Sequence, residues 1–208
     1  MSSVPLDLHG RRPVVVTIDL HRGHLDPDVA TMPLPAEVAA RVVAANAAFL
    51  DGARQRGVPV VHVVTGYRSP AEIATNPWWA AVAGTGESRA NVLRHQLPAS
   101  PGLELMPQVY DASRDLVVNG KKRYDCFVGT DLDHALRALG ADTLLLTGVN
   151  TNSCVLATAV SGNVRDYAVV VVREAVQTMD PELHEQALNI IGKAFGWVMG
   201  ADEVLAAL

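Results

Sequence analysis

A carboxylate at Asp19, an ammonium at Lys121 or Lys122 and a thiol at Cys154 are the groups whose types and places suggest chemistry in this sequence. Each follows an apolar run. The acid can take the thiol proton, the lysine can support the thiolate and the negative charge that develops, and sulfur can attack an electrophilic carbon. That constellation suits acyl transfer from an amide. Cys154 has the most telling position, because TLLLTGVNTNS gives way there to a helical pattern, CVLATAVSGNVRDY. The unpaired N–H groups and dipole of a helix start favour thiolate over thiol. Each residue also has a plainer use: Asp19 as a cap or loop ligand, the lysines as solvated turn residues, and a buried cysteine as a small hydrophobe, the role expected of Cys126. Spacing alone does not choose between Lys121 and Lys122.

These groups need a scaffold that brings strand ends together. Pro13 to Ile18 is a continuous β-branched run, as in a strand buried on both faces of a parallel sheet. A loop of Gly, Pro and Asp leads to an amphipathic helix from Ala36 to about Arg56, and Val58 to Val64 completes a strand–helix–strand unit. Asp115 to Val118 reads as a third strand, with the turn-like Asn119 and Gly120 before the lysines. Thr130 reads as the cap of the next helix, Thr143 onward as a fourth strand, Tyr167 to Val172 as a fifth, and Gly196 to Met199 as a short sixth. Helices at Pro181 and Ala201 fill out the order. The fold class expected is α/β, an open, mostly parallel six-stranded sheet with helices on both faces, whose ligand binds beyond the carboxyl ends of the strands.

Between about Thr65 and Tyr110 the periodicity is lost, and such a long excursion is more often functional than idle. Trp78 and Trp79 lie within it, as plugs onto the body or covers of a pocket. Residues 1–208 are otherwise expected to form one domain, since 208 residues with 49% hydrophobic composition can bury one sizeable core. Seventeen basic against 22 acidic residues, a net charge of -5, argue against nucleic acid as a partner. Neither a signal peptide nor an apolar run near the ~20 residues of a membrane span is visible, so a cytoplasmic protein without a membrane partner is expected. Cys126 and Cys154 are accordingly expected as free thiols.

Three stretches, VTIDLHRGH, KKRYDCFVGTDLDHALRALG and LLLTGVNTNSCVLATAV, together resemble the isochorismatase-like cysteine hydrolases, in the family's order and across nearly the whole chain. The resemblance implies catalytic roles for Asp19, Lys121 and Cys154, the lysine being fixed by aligning Phe127, Gly129 and Thr130 with the family's aromatic-Gly-Thr segment. It implies a cis peptide between Val149 and Asn150 and an oxyanion hole from the backbone N–H groups of Asn150 and Cys154; Thr151 and Asn152, by residue type, are expected to fix the turn and cap the helix. Isochorismatases proper lack the nucleophilic cysteine. Cys154 therefore places the chain with the amidase branch, which includes N-carbamoylsarcosine amidohydrolase, ureidoacrylate amidohydrolase and nicotinamidase. The implied reaction is hydrolysis of a C–N bond through a thioester, with a small-molecule substrate and no cofactor. Enol-ether hydrolysis without the thiol, or a noncatalytic binding module on the same fold, are the alternatives. A homo-oligomer, dimer or tetramer, is expected by the same resemblance.

Where nicotinamidases carry an Asp-x-His metal motif, this chain reads TGYRSP. No metal is expected, and His21, His24 and His62 match no strong zinc spacing. His24 stands where the family commonly has an aromatic residue and Asp125 where it often has a small hydroxyl. With Tyr67, Arg68 and Trp78 they are expected to make a polar substrate pocket, Arg68 holding a carboxylate bidentately.

Overall fold

A computed structural model describes residues 5–87 and 89–208 of the chain. In order, the elements are β1 (Pro13–Ile18), α1 (Arg22–Leu25), α2 (Ala36–Gln55), β2 (Val60–Thr65), α3 (Pro70–Ala74), α4 (Pro77–Val82), β3 (Leu116–Lys121), α5 (Leu132–Ala138), β4 (Thr143–Val149), α6 (Leu156–Val164), β5 (Ala168–Gln177), α7 (Pro181–Ala194), β6 (Trp197–Met199) and α8 (Ala201–Ala207). The six strands form one parallel sheet in the order β3-β2-β1-β4-β5-β6. The order reverses between β1 and β4, and connections leave these two strands in opposite directions, opening a crevice at their carboxyl ends.

Burial on both faces explains the β-branched runs. Along β1, Val14, Val16 and Ile18 pack on one side with Leu132 and Leu136 of α5, Ala159 of α6, and Leu188 and Ile191 of α7. Val15 faces the other way and joins Val42, Phe49 and Leu50 of α2 and Val204 of α8. The period of two in the strands thus sorts one apolar run into two cores. Gly148 permits the closest strand approach: its φ is +103°, and a Cβ there would lie 2.1 Å from the carbonyl oxygen of Ile18. Among the described residues no helix is long and apolar enough to cross a membrane.

Three strands run further than the sequence pattern suggests. β3 continues through Asn119 and Gly120 to Lys121, because a register shift opposite Val64 and Thr65, with Gly120 at φ +86°, lets the ladder survive turn-like residues. Lys121 is therefore the last strand residue, paired with Thr65, rather than part of a following turn. β2 likewise reaches Thr65, and β5 runs to Gln177 through its own register shift against β4. The excursion is built of helices too short to show a period. α3 and α4 each begin with proline and are capped by Ser69 and Asn76, whose side chains accept from Glu72 N and Trp79 N. Met32, Tyr67, Ile73, Trp79 and Val92 give it a small core of its own.

Candidate active site

Asp19 follows directly on β1 at the switch point, with φ at +54°, a conformation that aspartate tolerates better than most residues. Its carboxylate is 1% exposed. Oδ1 accepts from both the backbone N (2.9 Å) and the hydroxyl (2.8 Å) of Thr65 at the end of β2, while Oδ2 lies 2.6 Å from Nζ of Lys121. The Lys121 ammonium also donates to Thr65 Oγ1 at 2.6 Å and the Arg123 carbonyl at 2.9 Å, and stands 3.5 Å from Sγ of Cys154. Three strand ends thus converge on one charge pair. Burial by itself would raise the Asp19 carboxyl, but the Lys121 ammonium, helped by His21, holds it well below the usual carboxylate range. Burial pulls the Lys121 ammonium down, and Asp19, then Cys154, more than offset this and raise it. Lys122 points elsewhere, donating to the Gly66 carbonyl at 2.5 Å.

β4 delivers the thiol. The Val149–Asn150 peptide bond is cis, and Thr151–Val155 then wind into a single wide turn that runs on into α6. The helical segment therefore starts at Thr151, and Cys154 sits inside its first turn rather than at the start of an α-helix. Thr151 and Asn152 do not cap it. The Thr151 hydroxyl pairs with Nδ1 of His184 at 2.9 Å, and Asn152 Oδ1 accepts from Thr178 at 2.8 Å, tying the turn to α7 and the end of β5. The expectation of a stabilised thiolate is corrected as well. Burial raises the Cys154 thiol; Lys121 opposes that, but the Asp19 carboxylate beside it adds to the rise, so the resting group is SH. Cys126 is fully buried and pushed up by the same desolvation, as a small hydrophobe would be. Both cysteines are free.

A tight cleft opens onto Cys154, with a cavity volume of about 20 Å³, little more than the ~10–15 Å³ that one water needs. Asn150, Ser153 and Cys154 form its floor with Asp19 and Lys121, and His24, Tyr67, Trp79, Arg89, His95, Arg123 and Tyr124 are among its walls. Of the substrate contacts expected from sequence, His24 and Tyr67 are there, the Tyr67 hydroxyl donating to the Lys122 carbonyl. Three are directed elsewhere. Trp78 is 64% exposed on the outer side of α4, and its neighbour Trp79 faces the cleft, donating from Nε1 to the Tyr124 hydroxyl at 2.8 Å. Arg68 lies in solvent, paired with Glu72 at 2.7 Å, because the first turn of α3 supplies an acid four residues on. Asp125 caps a turn by accepting from Phe127 N at 2.8 Å and also accepts from the Ser161 hydroxyl. The sequence offers Trp78 and Trp79 alike as covers of a pocket, and the structure puts Trp79 in that place; Arg89, Arg123 and Tyr124 lie in irregular segments, where no periodicity signals direction.

Histidines also gather at this site. His21, His24 and His95 are all buried, with ligand-capable atoms within 4.8 Å of one another. Burial, and then His21, lower His24 to about 3, and burial lowers His95 well below the usual imidazole range, so both are neutral. His62 lies elsewhere, between Thr17 (2.6 Å) and the buried Asp115 (3.0 Å). His95, some 70 residues from the other two in sequence, carries no local motif that could have announced it.

The six-stranded parallel sheet in the order 3-2-1-4-5-6 agrees with the comparisons to known proteins. The isochorismatase domain family matches residues 13–203, and the chain belongs to the isochorismatase-like hydrolases. Its similarity falls in the amidase branch: the ureidoacrylate amidohydrolase RutB of Methylobacterium radiotolerans is 32% identical over 93% of this chain and 78% of that protein. The maleamate amidohydrolase of Pseudomonas putida is 29% identical over 96% of this chain and 88% of its own length. A cysteine hydrolase from Pseudomonas syringae pv. phaseolicola shares the fold with a TM-score of 0.84 at 24% identity, covering 98% of this chain and 95% of that one.

Proposed function

We propose that the protein is a cysteine amidohydrolase that cleaves a C–N bond of a small amide, carbamoyl or ureido compound through a thioester on Cys154. The observation that carries this reading is the contact set Asp19–Lys121–Cys154, buried together at the floor of the cleft. As the Cys154 thiol attacks the carbonyl carbon, its proton passes to Asp19 and a C–S bond forms. The oxygen that becomes negative is received by the backbone N–H groups of Asn150 and Cys154, donors of a kind commonly worth about 3 kcal/mol in the transition state. Asp19 then gives the proton to the departing nitrogen as the C–N bond breaks. In the second half, Asp19 takes a proton from water, hydroxide adds to the thioester, the C–S bond breaks, and the proton returns to sulfur. Lys121 holds the Asp19 carboxylate ionised between these steps.

The relatives that act on ureidoacrylate and maleamate support a substrate of this size and bond type. The Arg89 and Arg123 guanidiniums in the cleft wall favour one that also carries negative charge. On this reading residues 1–208 act as one catalytic domain in the cytoplasm, as a homo-oligomer whose contacts use exposed apolar residues such as Val164 and Ile190.

The test is an ammonia- and amine-release screen over primary amides, carbamoyl and ureido acids, repeated with Cys154→Ala. Turnover of any hit is expected to fall at least about 10⁴-fold, as for loss of a nucleophile that works with its base. Intact-mass measurements with iodoacetamide should show a single adduct that is absent in Cys154→Ala and present in Cys126→Ala. Its rate should climb with pH beyond the ordinary thiol range, since the thiol is raised. Full activity of Cys154→Ala on a substrate that the native chain cleaves would sink covalent catalysis.

A further inference from the structure

We infer that His21, His24 and His95 form a binding site for a late first-row divalent cation, such as Zn²⁺, at the wall of the cleft beside Asp19. His21 leaves β1 two residues after Asp19 and forms an isolated antiparallel bridge with Leu105. His24 follows within α1, and His95 comes from the excursion, directly after the short helical turn Val92–Arg94. The ring centroids are 4.8 Å apart for His21 and His24, 4.7 Å for His24 and His95, and 5.5 Å for His21 and His95. None of the three is more than 5% exposed.

The nitrogens are presented as ligands. Nδ1 of His24 is 2.8 Å from the Met32 carbonyl, which only accepts, so Nδ1 carries the proton and Nε2 the lone pair. Nδ1 of His95 pairs with the Thr31 hydroxyl at 2.7 Å, and in the tautomer in which Nδ1 donates to that hydroxyl its Nε2 is free as a second ligand. Outer hydrogen bonds of this kind fix the tautomer and orientation of metal-bound imidazoles. Most telling is His21, neither of whose ring nitrogens has a hydrogen-bond partner among the described residues, although it is 0% exposed. Its Nε2 is 3.6 Å from Asp19 Oδ1, beyond hydrogen-bond range. A buried donor and acceptor left without partners call for a ligand.

The backbone holds the cluster together. Gln96, with φ at +52°, donates to the Gly102 carbonyl at 2.8 Å, and its side chain lies so close to Gly23 that a Cβ there would come within 2.2 Å of Oε1. This packing fastens the His95 segment onto the α1 turn that carries His24. Three imidazole nitrogens are the donors that zinc, cobalt and nickel prefer, and calcium or magnesium would want oxygen instead. Nitrogens in a tetrahedral zinc site lie about 3.3 Å apart for bonds of about 2.0 Å, so the rings draw inward on binding. His24 and His95 line the cleft, which leaves the remaining coordination position facing a substrate polar group or water. This reading does not depend on thioester chemistry at Cys154.

The test is binding, measured without turnover. Chelator-treated protein is titrated with Co²⁺, followed by its ligand-field absorption, and with Zn²⁺ by calorimetry. One ion per chain is expected, with the absorption of a four- or five-coordinate nitrogen site that is retained in Cys154→Ala. His95→Ala should weaken binding by more than about 100-fold, and Thr31→Val, which removes only the outer hydrogen bond, by about 10-fold or more. Thermal unfolding and circular dichroism of each variant report whether it is folded, and Thr31→Val serves if His95→Ala is not. No stoichiometric ion, or binding equally tight in folded His95→Ala and Thr31→Val, would overturn the site. Loss of the cobalt signal in Cys154→Ala would instead assign the ion to the thiol.

Discussion

Replacing Lys121 by methionine isolates the electrostatics of the site without needing a substrate. Nζ lies 2.6 Å from Asp19 Oδ2, and both side chains are 1% exposed. At an effective dielectric of about 20 such a pair attracts by about 6 kcal/mol, most of which offsets the cost of drying the two charges. The informative quantity is what remains when one partner goes. Methionine fills most of the lysine volume but leaves the Asp19 carboxylate without its counter-ion, and breaking a buried pair in this way costs about 3–5 kcal/mol. For a chain of this length that corresponds to a fall in Tm of roughly 6–20 °C.

The pH dependence carries the sharper test. In the native chain Asp19 lies below its unfolded pKa, so its contribution is present above that pKa and lost as pH falls through the folded value. Lys121 lies above its unfolded pKa, so its contribution is full below the ordinary lysine range and lost as pH rises through the folded value. The pair therefore stabilises the whole neutral window. In Lys121→Met the burial that raises Asp19 has lost its main opponent, with His21 and the Thr65 bonds remaining, and its folded pKa is expected to move above the unfolded one. The carboxyl then favours the folded state only while protonated, so the deficit is small near pH 4 and grows as pH rises to neutrality. Adding Asp19→Asn removes the orphaned charge, while its side-chain oxygen can still accept from Thr65. The double variant is expected to recover most of the lost stability and to lose the pH slope. Urea midpoints of the four proteins between pH 4 and 8 measure this cycle. A deficit that does not change with pH, or a double variant no more stable than Lys121→Met, would refute the buried pair as the source.

Two further substitutions separate neighbours that look alike in sequence. Trp79→Ala removes a 4% exposed ring and its bond to Tyr124, and should cost about 3–5 kcal/mol and lower kcat/KM by opening the cleft wall. Trp78→Ala should stay within about 0.5 kcal/mol and leave kcat/KM unchanged, and a loss in Trp78→Ala as large as in Trp79→Ala would refute this difference in burial. Gly148→Ala would drive a Cβ into Ile18 at a φ of +103°, and should cost about 4 kcal/mol or more in chemical denaturation. A loss under about 1 kcal/mol would show that β1 and β4 do not approach as closely as described.

What the sequence made legible follows from where the information is local. A strand buried on both faces writes itself as Pro13–Ile18 or Thr143–Val149, and a cap or proline marks α7 at Asp180 and Pro181. Asp19 and Cys154 were legible because each follows such a strand. Lys121 was not separable from Lys122 by pattern, since a bulge decides which of them faces Asp19, and only the family resemblance chose between them. The cleft wall was least legible. Trp78 and Trp79 differ only in rotation about a six-residue helix, and Arg68 was claimed by Glu72 four residues away before any substrate could be. The His21–His24–His95 cluster joins residues across the excursion, a closure that no periodicity records.

The raised thiol at Cys154 is not an obstacle to the proposed reaction, and the charge count shows why. At rest the three groups are Asp19 carboxylate, Lys121 ammonium and Cys154 thiol, with a net charge of zero. Moving the proton from sulfur to Asp19 leaves a neutral acid, the same ammonium and a thiolate, again with a net charge of zero. Burial penalises an uncompensated charge far more than the relocation of one beside a fixed counter-ion. Lys121, 2.6 Å from Asp19 Oδ2 and 3.5 Å from Sγ, serves as counter-ion in both arrangements without moving. A free thiolate at the helix start would need no such partner, but it would be nucleophilic toward every electrophile that reached it. On the proposed mechanism, a thiol whose proton leaves only as substrate takes up the developing charge would confine reactivity to carbonyls that the Asn150 and Cys154 N–H groups can receive. In the proposed reaction the aspartate and lysine are therefore two parts of one proton exchange, and neither alone would keep the buried site neutral on both sides of it.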